Sequence, residues 1–273
     1  MKYVIIGNSI AGVSAAKIII RRHDKSGGIT IITKEPHLFY SKCLLPYYLR
    51  NEVGFDDTIL ADENFYKNNN ISLIKGRTVT NILSDKKKVV LDNNEEIMYD
   101  KLLIATGASP IQIGSGPNIF SLRSFEDVEK IKAAAIKYKK AVVVGAGPMG
   151  MKVAYGLKGL GCNITVLEAG RQVFTRILSK RAAFVLTKHL MNKGIEIKTN
   201  SRFISYDGRY VQADGASPIE ADFVVMAIGV KPNTGFLKES GVKINTGVIV
   251  DSHMRTNIDN IYAAGDAAEA FDP

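Results

Sequence analysis

Residues 141–150 read AVVVGAGPMG, and this stretch decides how the chain folds. A run of apolar, mostly β-branched residues leads directly into Gly145, Gly147 and Gly150, and small and apolar residues at helical spacing follow. At such a turn the backbone N–H groups and the dipole of the following helix bind a dinucleotide pyrophosphate. Glycines are needed because a Cβ would block the turn, the phosphate or the packing of helix on strand. The stretch therefore predicts a strand, a phosphate-binding turn and a helix.

Residues 2–12, KYVIIGNSIAG, repeat the pattern near the N-terminus. Gly7 and Gly12 keep their places, whereas Ser9 replaces the middle glycine. One imperfect copy is equally compatible with a plain strand-to-helix turn, but the duplicate and the late motif IYAAGD favour a second nucleotide site. The predicted helices are Ser14–Ile20 and Met151–Leu160, and the strands predicted after them are Ile29–Thr33 and Asn163–Leu167.

Both copies continue with alternating segments separated by polar turns, as in small antiparallel meanders. We therefore predict an α/β fold of two Rossmann-like three-layer (ββα) nucleotide-binding modules, each with a small antiparallel β-meander. Residues 247–266 have no counterpart in the first copy and are predicted to return to the first module. The predicted domains are a discontinuous one, 1–110 with 236–273, and an inserted one, 111–235. The meander strands are predicted at Thr78–Leu83, Lys88–Asp92, Ile97–Ile104, Arg202–Tyr206, Arg209–Ala213 and Glu220–Ile228.

A carboxylate follows the second strand of each copy. Glu168 is placed to accept hydrogen bonds from a ribose 2′-hydroxyl and to repel a 2′-phosphate, which predicts NADH rather than NADPH. Arg171 nearby could instead serve a 2′-phosphate. In the first copy Glu35 is the only carboxylate within 33–40, so we predict that it binds the corresponding ribose.

Composition is that of an ordinary globular protein: 273 residues, 46% hydrophobic and 23% charged. Two cysteines cannot form a secreted disulfide framework, which predicts a cytoplasmic protein. Interrupted apolar runs predict no export signal and no membrane span. The net charge of +9 comes without a nucleic-acid motif, so we interpret the lysine runs 86–88 and 137–140 as solvated faces and expect no nucleic-acid partner. No metal site is predicted from the scattered histidines, His23, His37, His189 and His253.

Five motifs in this order, GNSIAG, ATGASP, GAGPMG, AIGVKPN and TNIDNIYAAGD, resemble the pyridine nucleotide-disulfide oxidoreductase family of FAD/NAD(P)H flavoproteins. The resemblance covers essentially the whole chain. The stretch EPHLFYSKCLLPYYL is most similar to NADH:rubredoxin reductases and to coenzyme A disulfide reductase or NADH oxidase relatives. The resemblance implies an oxidoreductase that passes hydride from NADH to bound FAD and then passes electrons to a rubredoxin-like protein or a small disulfide. The alternative is a flavin-bearing electron-transfer subunit whose acceptor surface lies on another chain.

The resemblance also implies site residues. Taken alone, Thr106 and Asp266 would equally be ordinary turn residues. The implied FAD contacts are Gly7, Ser9, Ala11 and Gly12 (pyrophosphate), Glu35 (ribose), Lys42 (phosphates or flavin), Val79 (adenine, through its backbone), Ala105, Thr106 and Gly107 (passing near the cofactor) and Asp266 (ribityl chain). The implied NADH contacts are Gly145, Gly147, Pro148, Met149, Gly150, Glu168 and Gly229.

Cys43 is the one candidate for a redox thiol. Disulfide-reducing relatives have a single cysteine at the matching position after a Ser-x pair, and a helix N-terminus and the Lys42 ammonium would favour its thiolate. Rubredoxin-reductase relatives have proline there and use no thiol, and a buried cysteine would merely fill the core. The sequence leaves both readings open.

Two departures from the family pattern remain. Many members have a glutamate where this chain has Lys152, which would either stabilise an anionic reduced flavin or pair with a carboxylate elsewhere. Members also continue beyond the AAGD motif with an interface domain, whereas this sequence stops at Asp272-Pro273. We expect that surface to come from a missing C-terminal domain or a partner subunit.

Overall fold

The computed structural model of the protein describes residues 1–22, 28–114 and 116–270. The chain divides into two compact units. Unit 1 comprises Met1–Tyr40, Ile59–Ser109 and Lys231–Pro273, and unit 2 comprises Ser41–Thr58 and Pro110–Val230.

The helices are α1 (Ile10–Arg22), α2 (Leu45–Leu49), α3 (Glu63–Asn68), α4 (Phe125–Lys137), α5 (Pro148–Gly159) and α6 (Lys180–Asn192). The strands are β1 (Tyr3–Ile6), β2 (Ile29–Thr33), β3 (Phe39–Tyr40), β4 (Ile59–Ala61), β5 (Ile71–Lys75), β6 (Val79–Leu83), β7 (Lys88–Leu91), β8 (Glu96–Met98), β9 (Lys101–Ile104), β10 (Ala108–Pro110), β11 (Ile119–Ser121), β12 (Lys140–Val144), β13 (Asn163–Leu167), β14 (Ile195–Lys198), β15 (Phe203–Tyr206), β16 (Tyr210–Ala213), β17 (Ile219–Glu220), β18 (Phe223–Met226), β19 (Val230–Pro232), β20 (Val248–Val250), β21 (Ile261–Ala263) and β22 (Ala268–Ala270).

Unit 1 is built on a parallel sheet in the order β21-β9-β1-β2-β5. Successive side chains of a strand face opposite sides, so β1 contributes to two cores. Ile5 packs in a cluster with Val13 of α1, whereas Ile6 packs in a cluster with Val89 of the meander β6-β7-β8. Helix, parallel sheet and antiparallel meander thus form three layers.

Unit 2 repeats this arrangement with a parallel sheet in the order β11-β18-β12-β13-β14. Val142 and Val144 of β12 pack in a cluster with Val211 of the meander β15-β16-β17. In both units the meander lies in sequence between the third parallel strand of the repeat, β5 or β14, and the strand that returns beside the first, β9 or β18. The predicted fold class is confirmed.

Two predicted strands are wrong in one respect, because each is interrupted. The segment predicted at Ile97–Ile104 divides into β8 and β9, and that predicted at Glu220–Ile228 divides into β17 and β18. In each unit the chain leaves the meander and enters the parallel sheet at an aspartate. The N–H of Asp100 donates to the Lys2 carbonyl in unit 1, and the N–H of Asp222 donates to the Lys140 carbonyl in unit 2, both at 2.8 Å. Apolar residues stand on both sides of each aspartate, so the apolar pattern alone does not reveal the turn.

Within the described ranges, no helix combines the length and the apolar character needed to cross a bilayer.

Candidate functional site

The turn after β1 requires both of its glycines for packing. A Cβ on Gly7, whose φ is +122°, would lie 2.1 Å from the carbonyl oxygen of Ala105. A Cβ on Gly12 would lie 2.0 Å from the carbonyl oxygen of Gly7. Helix α1 begins at Ile10, earlier than predicted. The Ser9 carbonyl accepts the first bond of the helix, from the Val13 N–H at 2.9 Å, so Ser9 stands at the N-cap, a position that serine favours. Serine in place of the middle glycine is therefore compatible with the turn.

Asn8, in the same turn, received no role from the sequence. Its Oδ1 accepts a hydrogen bond of 2.8 Å from the Tyr66 hydroxyl. Its Nδ2 is buried and has no hydrogen-bond partner among the described residues. A buried unsatisfied donor costs about 1–3 kcal/mol, which fits a turn that receives an acceptor-rich group. The asparagine is visible in GNSIAG, but its orientation depends on a tyrosine 58 residues away.

The turn after β12 combines the same packing with open space. A Cβ on Gly145 would lie 2.4 Å from the Ala227 carbonyl oxygen, and one on Gly150 would lie 1.9 Å from that of Gly145. A Cβ on Gly147 would meet no protein atom within 4 Å. Gly147 is the N-cap of α5, and no described side chain caps that helix. An uncapped helix N-terminus beside open space has the form that a pyrophosphate site requires. Pro148 and Met149 begin this helix.

The two predicted ribose carboxylates lie beyond the ends of β13 and β2. Glu168 accepts hydrogen bonds from the N–H groups of Ala146 at 2.8 Å and Gly170 at 2.7 Å. Glu35 is half-buried and accepts a hydrogen bond from the Tyr40 hydroxyl. Glu168 is thus held at the glycine-rich turn of unit 2, and Glu35 is held just beyond the end of β2.

The closing motifs meet at one sheet edge of unit 1. Ala105 follows β9, and its N–H donates to the Ile6 carbonyl at 2.9 Å. Because β21 pairs with β9, the exposed Asp266, in a short 3₁₀ helix after β21, belongs to this same edge. The carboxyl ends of parallel strands form the usual ligand-binding edge. The sheet thus gathers Gly7, Thr106 and Asp266 at one end.

Thr106 and Asn233 exchange hydrogen bonds. The Thr106 hydroxyl donates to the Asn233 carbonyl, and the Asn233 side-chain amide donates to the Thr106 carbonyl, both at 2.9 Å. Ser109 donates to the Asn233 Oδ1 at 2.7 Å. Asn233 stands in AIGVKPN but received no role, because its partners lie more than a hundred residues away in sequence.

Three further predicted contact residues are Val79, in a strand, and Gly107 and Gly229, in turns. Val79 is buried in β6 and pairs with Leu91 of β7, so its side chain is enclosed. Gly107 and Gly229 both have positive φ, +65° and +116°, as their turns require.

Lys42 and Cys43 belong to unit 2. They lie in a 3₁₀ helix, Lys42–Leu44, that leads into the five-residue α2. The Lys42 ammonium donates to the Arg123 carbonyl at 3.3 Å. Cys43 is exposed, so the reading of this cysteine as core filling is wrong. Cys162 is fully buried, and burial raises the pKa of its thiol.

Small residues of α5 allow α2 to approach closely. A Cβ on Gly156 would lie 3.0 Å from the Leu49 side chain, and one on Gly159 would lie 3.1 Å from Arg50 Nε. The Arg50 guanidinium lies 4.3 Å from the ring centroid of Tyr155, in cation–π geometry. This packing fixes the cysteine-bearing segment against α5, the helix whose N-cap is Gly147.

Two further side chains near this segment are Tyr48 of α2 and Lys152 of α5. Burial, reinforced by a hydrogen bond with Glu129, raises the pKa of Tyr48 to about 12, so its hydroxyl stays protonated at neutral pH. Lys152 Nζ lies 5.9 Å from the Tyr47 ring centroid. No ion pair between described residues includes Lys152, so the structure gives no support to its pairing with a carboxylate.

No cluster of three or more candidate metal ligands occurs among residues 1–22, 28–114 and 116–270. His23, one of the histidines weighed above, lies outside these residues.

The chain is similar to known oxidoreductases throughout its length. Residues 1–272 match the family described as "Pyridine nucleotide-disulphide oxidoreductase". An NADH oxidase of Methanocaldococcus jannaschii is 36% identical, over 100% of this chain and 64% of its own. An assimilatory nitrate reductase electron transfer subunit of Bacillus subtilis is 34% identical, over 98% of this chain and 36% of its own length. An NADH-rubredoxin oxidoreductase of Clostridium acetobutylicum is 33% identical, over 99% of this chain and 69% of its own length.

The fold is similar to that of a NAD-dependent persulfide reductase from A. fulgidus. The TM-score is 0.91 at 32% sequence identity, over 98% of this chain and 53% of that one. The chain thus spans between about a third and two thirds of the length of these related proteins.

Proposed function

This chain belongs to the pyridine nucleotide-disulfide oxidoreductase family, and from that premise we propose that it transfers electrons from NADH through FAD to a redox protein or a small disulfide. The expected cofactors, FAD and NADH, and the expected class, an FAD-dependent NADH oxidoreductase, are confirmed at the level of the family. The residue assignments that follow are part of the proposal.

In unit 1 the residues present fit FAD. The turn at Gly7 offers a helix N-terminus, and the orphaned Asn8 amide is a donor in need of an acceptor. Glu35 and Asp266 supply carboxylates for the ribose and the ribityl chain. FAD, when bound, supplies the hydride-accepting chemistry. The unit 1 residues proposed to hold it are Gly7, Ser9, Ala11, Gly12, Glu35, Val79, Ala105, Thr106, Gly107 and Asp266; the family resemblance adds Lys42, which belongs to unit 2.

In unit 2 the residues present fit NADH. The uncapped N-terminus of α5 faces the space left by Gly147 and would bind the pyrophosphate. Glu168, at the end of the next strand, would bind the adenosine ribose. The residues proposed to line the site are Gly145, Gly147, Pro148, Met149, Gly150, Glu168 and Gly229.

The acceptor is proposed by chemistry rather than by a single name. The related NADH-rubredoxin oxidoreductase supports a small redox protein, and the exposed Cys43 supports a small disulfide. The related electron transfer subunit favours a second candidate, a flavin-bearing subunit whose acceptor surface lies on another chain. A cytoplasmic location is part of the proposal, and both cysteines are free thiols, as expected in a reducing compartment.

One observation carries the proposal: the duplicated glycine-rich turn, with Gly147 kept where no protein atom requires a glycine. We expect the purified protein to show flavin absorbance and to bleach when NADH is added anaerobically. Folded protein that stays colourless after incubation with FAD would remove the proposal. Turnover of NADH with ferricyanide alone favours the self-sufficient enzyme, whereas bleaching without turnover until a partner protein is added favours the subunit.

Glu168→Ala is expected to reduce the preference for NADH over NADPH. A carboxylate repels a 2′-phosphate across water by about 1 kcal/mol, which corresponds to roughly a fivefold ratio of affinities. The ratio of NADH to NADPH flavin-reduction rates, measured by stopped flow, should therefore fall by about that factor. Equal rates in the parent protein would mean that Arg171 outweighs the carboxylate.

A further inference from the structure

Glu168 has contacts that a ribose-binding role does not explain. Its Oε2 accepts a hydrogen bond from the N–H of Ala146 at 2.8 Å, inside the glycine-rich turn. Its Oε1 accepts one from the N–H of Gly170 at 2.7 Å, in the loop that follows β13. The carboxylate therefore joins this loop to a turn that lies 22 residues earlier.

The same loop holds the other polar group of Ala146. The N–H of Phe174 donates to the Ala146 carbonyl at 2.9 Å. Phe174 adopts φ +52°, and the left-handed conformation costs a residue other than glycine about 1–2 kcal/mol. Such conformations persist where the surroundings impose them, and they concentrate at functional sites. Ala146 is fully buried, so the loop satisfies both of its backbone groups.

The loop is itself fixed from the opposite side. The N–H of Ser201 donates to the Glu168 carbonyl, and the N–H of Asn200 donates to the Gly170 carbonyl, both at 2.9 Å. A Cβ on Gly170 would lie 2.9 Å from Glu168 Oε1. Glycine at this position therefore leaves room for the carboxylate to reach Ala146.

We propose that Glu168 and Phe174 are positioning residues that together fix Ala146 and so preform the turn that binds the NADH pyrophosphate. This inference rests on the proposed NADH site in unit 2. An ionised carboxylate has about four acceptor sites, and two of Glu168's are taken by backbone N–H groups, which leaves two for ribose hydroxyls. A preformed turn reduces the ordering cost of binding. Loss of Glu168 therefore weakens the binding even of a nucleotide whose adenosine ribose has no hydroxyl groups.

The test separates the two roles of the carboxylate. Parent protein and Glu168→Ala are titrated calorimetrically with NAD⁺ and with an NAD⁺ analogue whose adenosine ribose lacks both hydroxyls. We expect the variant to lose at least fivefold in affinity for the analogue. The matched control is Glu196→Ala, on the neighbouring strand, whose side chain is 55% exposed and bonds to Thr165 and Lys198; it should change nothing. Equal affinity of parent and Glu168→Ala for the analogue overturns the proposal. A parent that binds no NAD⁺ overturns the proposed function instead.

Hydrogen exchange tests the same contact with no nucleotide added. The Ala146 amide should exchange at least tenfold faster in Glu168→Ala than in the parent or in Glu196→Ala. Unchanged exchange refutes the role of Glu168, whatever the titrations give.

For Phe174 the matched pair is Phe174→Gly and Phe174→Val. Both remove the ring, but glycine adopts a positive φ freely and valine does not. We expect the valine variant to bind NAD⁺ at least fivefold more weakly than the glycine variant. Equal affinities refute the role of the Phe174 backbone.

Discussion

Gly150→Ala is expected to abolish useful NADH binding, with a loss of affinity of at least a hundredfold. The new methyl group would lie 1.9 Å from the carbonyl oxygen of Gly145 and 3.2 Å from the Ala227 side chain. A backbone carbonyl in a tight turn cannot rotate away as a side chain can, so the turn or α5 must move. Overpacking of this kind costs about 1–3 kcal/mol of stability, and the displaced N–H groups no longer converge on a phosphate. The dissociation constant for NAD⁺ and the melting temperature measure the two effects.

Gly147→Ala separates binding from folding. Because its methyl group would meet no protein atom within 4 Å, we expect an unchanged melting temperature but an affinity for NAD⁺ at least tenfold lower. Gly235→Ala, whose methyl group also meets no atom within 4 Å but which lies in the other unit, is the control for the substitution itself.

For the first of these variants, Gly150→Ala, an affinity for NAD⁺ equal to the parent's would show that the nucleotide does not bind at this turn.

Cys43→Ser is expected to abolish disulfide reduction while NADH-to-ferricyanide turnover stays nearly intact. Cys43 is the exposed cysteine of the pair, and Cys162 is enclosed, with its Sγ 3.9 Å and 3.8 Å from the carbonyl oxygens of Ala135 and Tyr138. A raised thiol pKa keeps Cys162 protonated and therefore unreactive. We therefore predict that any disulfide that Cys43 forms is mixed, with a small thiol such as coenzyme A. NADH supplies the two electrons that reduce each disulfide to two thiols.

Turnover of coenzyme A disulfide and of ferricyanide is measured in the parent, Cys43→Ser and Cys162→Ala. The Cys162 variant should keep the parent's ratio of the two activities. Identical behaviour of parent and Cys43→Ser with every disulfide would show that electrons leave without passing through this sulfur.

The glycine-rich turns were predictable because their requirements are local. Gly145, Gly147 and Gly150 stand within six residues of one another, and the strand before them and the helix after them are visible in the same short stretch. The fold class followed from the repetition of this unit, since two copies with the same downstream alternation predict the same three layers twice.

The sequence did not predict where some strands and helices begin and end. β8 and β9 read as one strand, because side chains alternate on both sides of Asp100 and only pairing with different sheets separates them. Helix α1 begins within the motif rather than after it, because Gly12 packs on Gly7 and lets the helix start at Ile10.

The sequence by itself determined the two glycine-rich turns, the carboxylates that follow the next strands and the family to which the chain belongs. Only the tertiary structure decided that Asn8 faces Tyr66, that Asn233 bonds to Thr106, that α2 packs on the glycines of α5 and that Glu168 holds Ala146. The physical reason is the range of the interactions. Turn geometry depends on backbone angles and Cβ contacts within a few residues, whereas these contacts join segments from 22 to more than a hundred residues apart, whose proximity arises only when the sheets have formed.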